Sequence, residues 1–80
     1  MKMVMLAYNE AIDPEVMEIL DKCSVRGFTK WTKVLGNGKR SGPHLMNHVW
    51  SKGNNALMCC VTDEQALALL DGVRELRQTL

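Results

Sequence analysis

Residues 56–61, Ala-Leu-Met-Cys-Cys-Val, form an unbroken apolar run. Its length suits a strand, Asn54-Asn55 provides a turn signal before it, and it lacks the polar alternation of a half-exposed strand. The run therefore predicts a buried central strand, apolar on both faces. In a chain of 80 residues such a strand dictates the rest of the architecture, because it needs a neighbour on each edge and cover on each side. Residues 2–8, Lys-Met-Val-Met-Leu-Ala-Tyr, supply one neighbour and end at the turn-prone Asn9. Residues 28–35 supply another. Strict alternation there sends Phe28, Lys30, Thr32 and Val34 to one side and Thr29, Trp31, Lys33 and Leu35 to the other.

Two helices follow from the pattern between the strands. Asp13 is a good N-cap, Pro14 suits the first helical position, and Glu15 and Glu18 complement the positive end of the helix dipole. Val16, Leu20 and Cys23 then recur at helical spacing, and Gly27 marks the exit into the second strand. Asp63 is expected to cap the second helix, in which Ala66, Leu69, Leu70, Val73, Leu76 and Leu80 form the apolar stripe.

The order strand, helix, strand, strand, helix predicts an α+β fold, a ferredoxin-like plait of form βαββα occupying residues 1–80 as a single domain. Its two helices cover one face of an antiparallel sheet. The closing fourth strand is missing or supplied from outside this chain. Apolar residues on the uncovered face then need a partner, and the simplest is another copy of the chain.

Charge is distributed unevenly. Lys22, Arg26, Lys30, Lys33, Lys39, Arg40 and Lys52 fall in a stretch, residues 22–62, that contains no Asp or Glu, although the formal net charge of the chain is only +1. Within it lies Gly36-Asn37-Gly38-Lys39-Arg40-Ser41-Gly42-Pro43-His44. Glycine-rich backbone presents N–H groups to an anion and the flanking cations supply counter-charge, so the segment suits a phosphate or carboxylate; a solvated basic loop is the plain alternative. Residues 36–55, with one short strand predicted around 48–50, make a loop long enough to be functional.

Other classes find less support. No Ser-His-Asp order, no Walker-type Gly-x-x-x-x-Gly-Lys-Ser/Thr and no paired carboxylates occur in the basic block, so an enzyme is not expected. The near-zero net charge and 5% aromatic content argue against nucleic acid. No apolar run is long enough to span a bilayer, and three cysteines do not make a disulfide framework, so a cytoplasmic protein is expected. Cys23, Cys59 and Cys60 read first as small core residues.

Residues 25–44, Val-Arg-Gly-Phe-Thr-Lys-Trp-Thr-Lys-Val-Leu-Gly-Asn-Gly-Lys-Arg-Ser-Gly-Pro-His, resemble the second strand and the start of the T-loop in the nitrogen-regulatory PII family. There a Gly-x-x-Gly turn leads into a strand and Gly-x-Gly-Arg-x-x-Gly-His follows. The resemblance implies a homotrimeric ferredoxin-like regulatory protein that binds a small anionic effector, of the adenine nucleotide or carboxylate class, in clefts between subunits. It also implies that residues 36–55 act as a T-loop-like segment engaging a target, such as a membrane transporter or efflux pump. Carried over by position, Gly36, Gly38, Lys39, Arg40 and Gly42 are the expected ligand-binding residues. Arg40 stands where that family has the glutamine linked to 2-oxoglutarate and metal, and the loop holds no tyrosine for uridylylation. Related trimeric plaits of the CutA type imply an alternative, a divalent-metal sensor using His44 and His48.

Overall fold

The computed structural model describes residues 1–34 and 53–79. Strand β1 (Lys2–Asn9) leads through one turn of 3-10 helix (Glu10–Ile12) into helix α1 (Asp13–Lys22). Strands β2 (Thr29–Val34) and β3 (Asn54–Val61) follow, and helix α2 (Asp63–Thr79) comes last. The sheet order is β1-β3-β2 with both pairings antiparallel, so the apolar run at 56–61 is central as expected. Two helices and an antiparallel sheet in this order make an α+β ferredoxin-like plait.

Burial alternates along each strand of the central pair. Val4, Leu6 and Tyr8 on β1 and Leu57, Cys59 and Val61 on β3 turn toward the helices, where Leu20, Val25, Ala66 and Leu69 complete the core. Full burial of Leu20, Leu57 and Leu69 contributes about 1.5–3 kcal/mol per side chain relative to exposure. Gly72 lets the helices approach each other: a Cβ there would lie 2.8 Å from Ile19 Cγ2. β3 is apolar on both faces as expected, and the chain itself covers one of them. Its helix-facing positions are buried, whereas Met58 is half-buried and Cys60 exposed on the other side, because both helices pack on one face. Cys60 is therefore not a core residue, unlike Cys59.

Both expected helix caps are corrected as well. The residue preceding α1 is Ile12, which makes no side-chain capping bond, and the carboxylate of Asp13 is engaged elsewhere. The chain instead enters through the 3-10 turn, capped by Asn9 Oδ1 accepting from Ala11 N at 2.9 Å. At α2 the cap is Thr62: its Oγ1 accepts from Gln65 N at 3.1 Å while Gln65 Oε1 accepts from Thr62 N at 3.0 Å, a reciprocal capping box. The exit from α1 falls at Ser24, and Gly27 lies in the link that enters β2. Ser24 has φ 61°, Val25 N donates to Leu20 O at 2.9 Å and Ser24 N to Asp21 O at 3.0 Å, which is a Schellman arrangement with serine in the left-handed position.

The outer edge of β1 pairs with no strand among the described residues. Two hollows lie beside it, one lined by Val16, Val73 and Leu76 and the other by Leu67 and Leu70, which are 66% and 48% exposed. That edge is where the fourth strand of a complete plait would lie.

Candidate functional site

The best-organised polar group of the described residues surrounds Asp13. Tyr8 Oη donates to Asp13 Oδ1 at 2.6 Å, and Lys30 Nζ donates to Oδ1 and Oδ2 at 3.2 and 3.1 Å. Asn55 Nδ2 donates to Oδ1 at 3.2 Å. Four elements meet at one carboxylate: the end of β1, the start of α1, edge strand β2 and central strand β3. The side chains of Lys30 and Asp13 are each 26% exposed, and the other ion pairs of the described residues lie well out in solvent. Exposed pairs contribute little to stability, so electrostatic organisation is concentrated here.

The titration behaviour of the cluster follows from its bonds. The Tyr8 hydroxyl, and after it Lys30 and Asn55, hold the Asp13 carboxyl below its ordinary range against the opposing effect of burial. Burial first, and then the bond to Asp13, push Tyr8 up to about 12. Asp13 is thus a fixed anion and Tyr8 a fixed donor, an arrangement suited to holding backbone in place rather than to moving a proton at neutral pH.

What it holds is the pair of strands between which residues 35–52 run. Lys30 anchors β2 and Asn55 anchors β3. Beside them Glu10 N donates to Gly53 O at 3.0 Å while Gly53 N donates to Glu10 Oε1 at 3.2 Å. The strands are also shaped here. Trp31 pairs with Ala56 and Val34 with Asn54, so β2 carries one extra residue, a bulge, and Lys33 takes φ 56° within it. Gly53 fits against the bulge because a Cβ would sit 3.2 Å from Lys33 Cα. The bulge corrects the strict alternation expected for β2: Val34 shares the helix-free face with Thr29 and Trp31 instead of lying opposite them.

The fold also redistributes the basic block. Lys22, Arg26 and Lys30 each pair with an acid that precedes the block in sequence, Glu18, Asp21 and Asp13. The charge that looked continuous in the sequence is partly neutralised before the loop begins. Gly36, Gly38, Lys39, Arg40, Gly42, His44 and His48 lie outside the described residues, as does the strand expected around 48–50. Among the described residues, no three His, Cys, Asp or Glu side chains come together as a metal site. No helix of the described residues is long and apolar enough to cross a membrane. Sequence reasoning missed the Asp13 cluster; Tyr8, Lys30 and Asn55 gave no local signal for it.

The profile of the family Nitrogen regulatory protein P-II matches residues 1–80, the whole chain. This chain belongs to the P-II family. Two solved structures agree with that placement. One is of CPII, a nitrogen regulatory PII-like protein from Thiomonas intermedia K12, bound to ADP, AMP and bicarbonate; it aligns at a TM-score of 0.70 and 21% identity, over 98% of this chain and 79% of CPII. A second CPII structure from the same organism, bound to ADP and bicarbonate, aligns at 0.68 and 21% identity over 96% and 78%. At this identity the likeness carries the fold. No curated protein matches the sequence. In the P-II chain the Asp13 cluster and the Glu10–Gly53 bonds brace the end of the sheet from which residues 35–52 depart.

Proposed function

We propose that this P-II protein is a non-catalytic regulator that binds an adenine nucleotide, with or without bicarbonate, and reads it out through a T-loop that begins at residue 36 and ends before β3, since Asn54 and Asn55, expected in the loop, belong to that strand. Membership of the P-II family carries the reading, and the ligands bound to CPII supply the chemical class. Gly36, Gly38 and Gly42 would give backbone N–H groups to phosphate, and Lys39 and Arg40 would supply its counter-charge. The same cations meet an acidic surface on the target protein.

The protein acts as a homotrimer in this reading. The sheet face away from the helices displays Met3, Met5, Trp31 and Val34, which are 65%, 64%, 47% and 37% exposed, and a contiguous apolar face of this kind calls for cover. Clefts between subunits then supply the effector site.

Titration calorimetry with ADP, AMP, ATP and bicarbonate tests the proposal. ADP or ATP binding is expected, weakened by added salt because exposed charges are screened beyond about 8 Å at physiological ionic strength. Lys39→Ala combined with Arg40→Ala should lower affinity at least about tenfold, as expected for loss of charge-assisted bonds to phosphate. Absence of binding by every nucleotide would overturn the reading.

A further inference from the structure

Val16, Leu20, Ala66 and Leu69 turn the inner sides of α1 and α2 to the core. On the outer side, away from the sheet, a groove of about 510 Å³ runs between the two helices. Along α2 its lining follows the helical spacing i, i+3, i+4, i+7, i+8 and i+11 from Ala68 to Thr79. At 1.5 Å per residue that stripe is about 16 Å long, three turns of helix. Half-buried Ile19, Gly72 and Leu76 make the floor, where α1 and α2 touch. Exposed acids stand above it as rims, Glu15 and Glu18 on α1 and Asp71 and Glu75 on α2.

Charge in the groove is unbalanced. Four carboxylates and one cation, Lys22, line it, in a chain whose formal net charge is +1. Lys22 pairs with Glu18 at 3.5 Å and Asp71 with Arg74 at 3.6 Å, each within its own helix. Glu15 and Glu75 have no ion pair among the described residues. Like charges gathered beside an apolar floor repel one another, so the groove complements a partner that carries cations on both flanks of an apolar stripe. The backbone decides the partner's form. N–H and C=O groups along α1 and α2 are bonded within each helix, so an extended segment laid here finds no backbone to pair with, whereas a helix arrives with its own bonds made. Assembly leaves the groove open, because the trimer reading buries the helix-free face of the sheet and the helices lie on the other.

We propose that the groove between α1 and α2 docks a basic amphipathic helix of about three turns from a partner protein. The apolar stripe of that helix rests on Ile19, Gly72 and Leu76, and its Lys or Arg side chains reach Glu15 and Glu18 on one rim and Asp71 and Glu75 on the other. Gly72 is part of the fit, since the absence of a side chain there lets α2 close against Ile19 and keeps the floor low. The site uses neither Lys39 and Arg40 nor a nucleotide. It selects a partner surface opposite in charge to the one that the basic loop would meet.

The test uses the full chain and follows the fluorescence anisotropy of a labelled helical peptide of about 14 residues, built of Leu, Ala and Lys with a leucine stripe at helical spacing and lysines on both flanks. Saturable binding is expected, weakened by added salt. A peptide of the same composition with the leucine stripe scrambled should bind at least tenfold more weakly, and one with Glu in place of Lys should not bind. Glu15→Gln with Glu75→Gln should lower affinity at least tenfold, as should Ala68→Arg, which sets a cation of the chain's own in the groove. Asp63→Asn with Glu64→Gln removes the same charge outside the groove and should bind as the wild type does. Lys39→Ala with Arg40→Ala should also bind the peptide normally, which keeps this site separate from the nucleotide reading. Failure of the wild type to bind, equal binding of the scrambled peptide, full affinity in the Glu15 and Glu75 double variant, or loss in either control variant would each overturn the site. Circular dichroism on each variant separates loss of binding from loss of fold.

Discussion

Asp13 accepts bonds from Tyr8, Lys30 and Asn55 at once. Hydrogen bonds to a charged group contribute about 1.5–3 kcal/mol net, so Asp13→Ala should destabilise the protein by about 2–3 kcal/mol in urea unfolding at pH 7. The pH dependence has a definite sign. The folded-state carboxyl is depressed below the ordinary 3.8, so its stabilisation is fully present above that value and is lost as pH falls through the depressed one. The gap between wild type and Asp13→Ala should therefore narrow as pH falls below 3.8 and through the depressed folded-state value. At the alkaline end Tyr8, the chain's one tyrosine, should form phenolate near pH 12 rather than 10 in the folded protein. Because its folded pKa is raised, its contribution holds below pH 10 and is lost between 10 and 12; phenolate absorbance against pH, in native protein and in denaturant, measures both limits.

At the scale of elements, the ends of α1 and the packing between helices are the points most open to change. Ser24 pays for a left-handed conformation that glycine adopts freely. Ser24→Gly is therefore expected to stabilise the protein by about 0.5–1 kcal/mol, part of the gain being offset by the greater freedom of glycine in the unfolded chain. Thermal unfolding resolves a shift of that size in a domain this small. Gly72→Ala runs the other way. Its Cβ would come within 2.8 Å of Ile19 Cγ2, too close for packed atoms, so α1 and α2 must separate or Ile19 must change rotamer. A loss of about 1–3 kcal/mol is expected, the cost of overpacking. A companion change, Ile19→Val with Gly72→Ala, should recover part of it if the clash is the cause.

For the whole molecule, the governing fact is a sheet covered by helices on one face only. Met3, Met5, Met58, Ala56 and Trp31 then present an apolar surface without a charge among them. Multi-angle light scattering at micromolar concentration should give three times the chain mass of 9.0 kDa. Met58→Lys places a charge in the middle of the face, on the central strand, and should shift the population toward a folded monomer while leaving the core below it intact. A wild-type monomer at that concentration would refute assembly through this face. Assembly also bears on the effector site, since clefts between subunits vanish with the trimer; the lysine variant should lose nucleotide affinity in parallel.

The sequence by itself determined the order of elements and the inner stripes of the helices, because those depend on local signals: an apolar run at 56–61, Pro14 and the helical spacing of Val16 with Leu20 and of Ala66 with Leu69. The segment 25–44 also carried the family. The tertiary structure alone decided which residues work together across distance. Asp13 meets Lys30 and Asn55 from 17 and 42 positions away, and a residue that looks like a helix cap in sequence is taken by partners that no local pattern announces. The bulge at Lys33 moved Val34 to the other face, since one extra residue reverses a period-two pattern. Cys60 and Met58 differ from Cys59 and Leu57 only in parity, and parity acquires meaning when both helices settle on one side of the sheet and leave the sulfurs on the other.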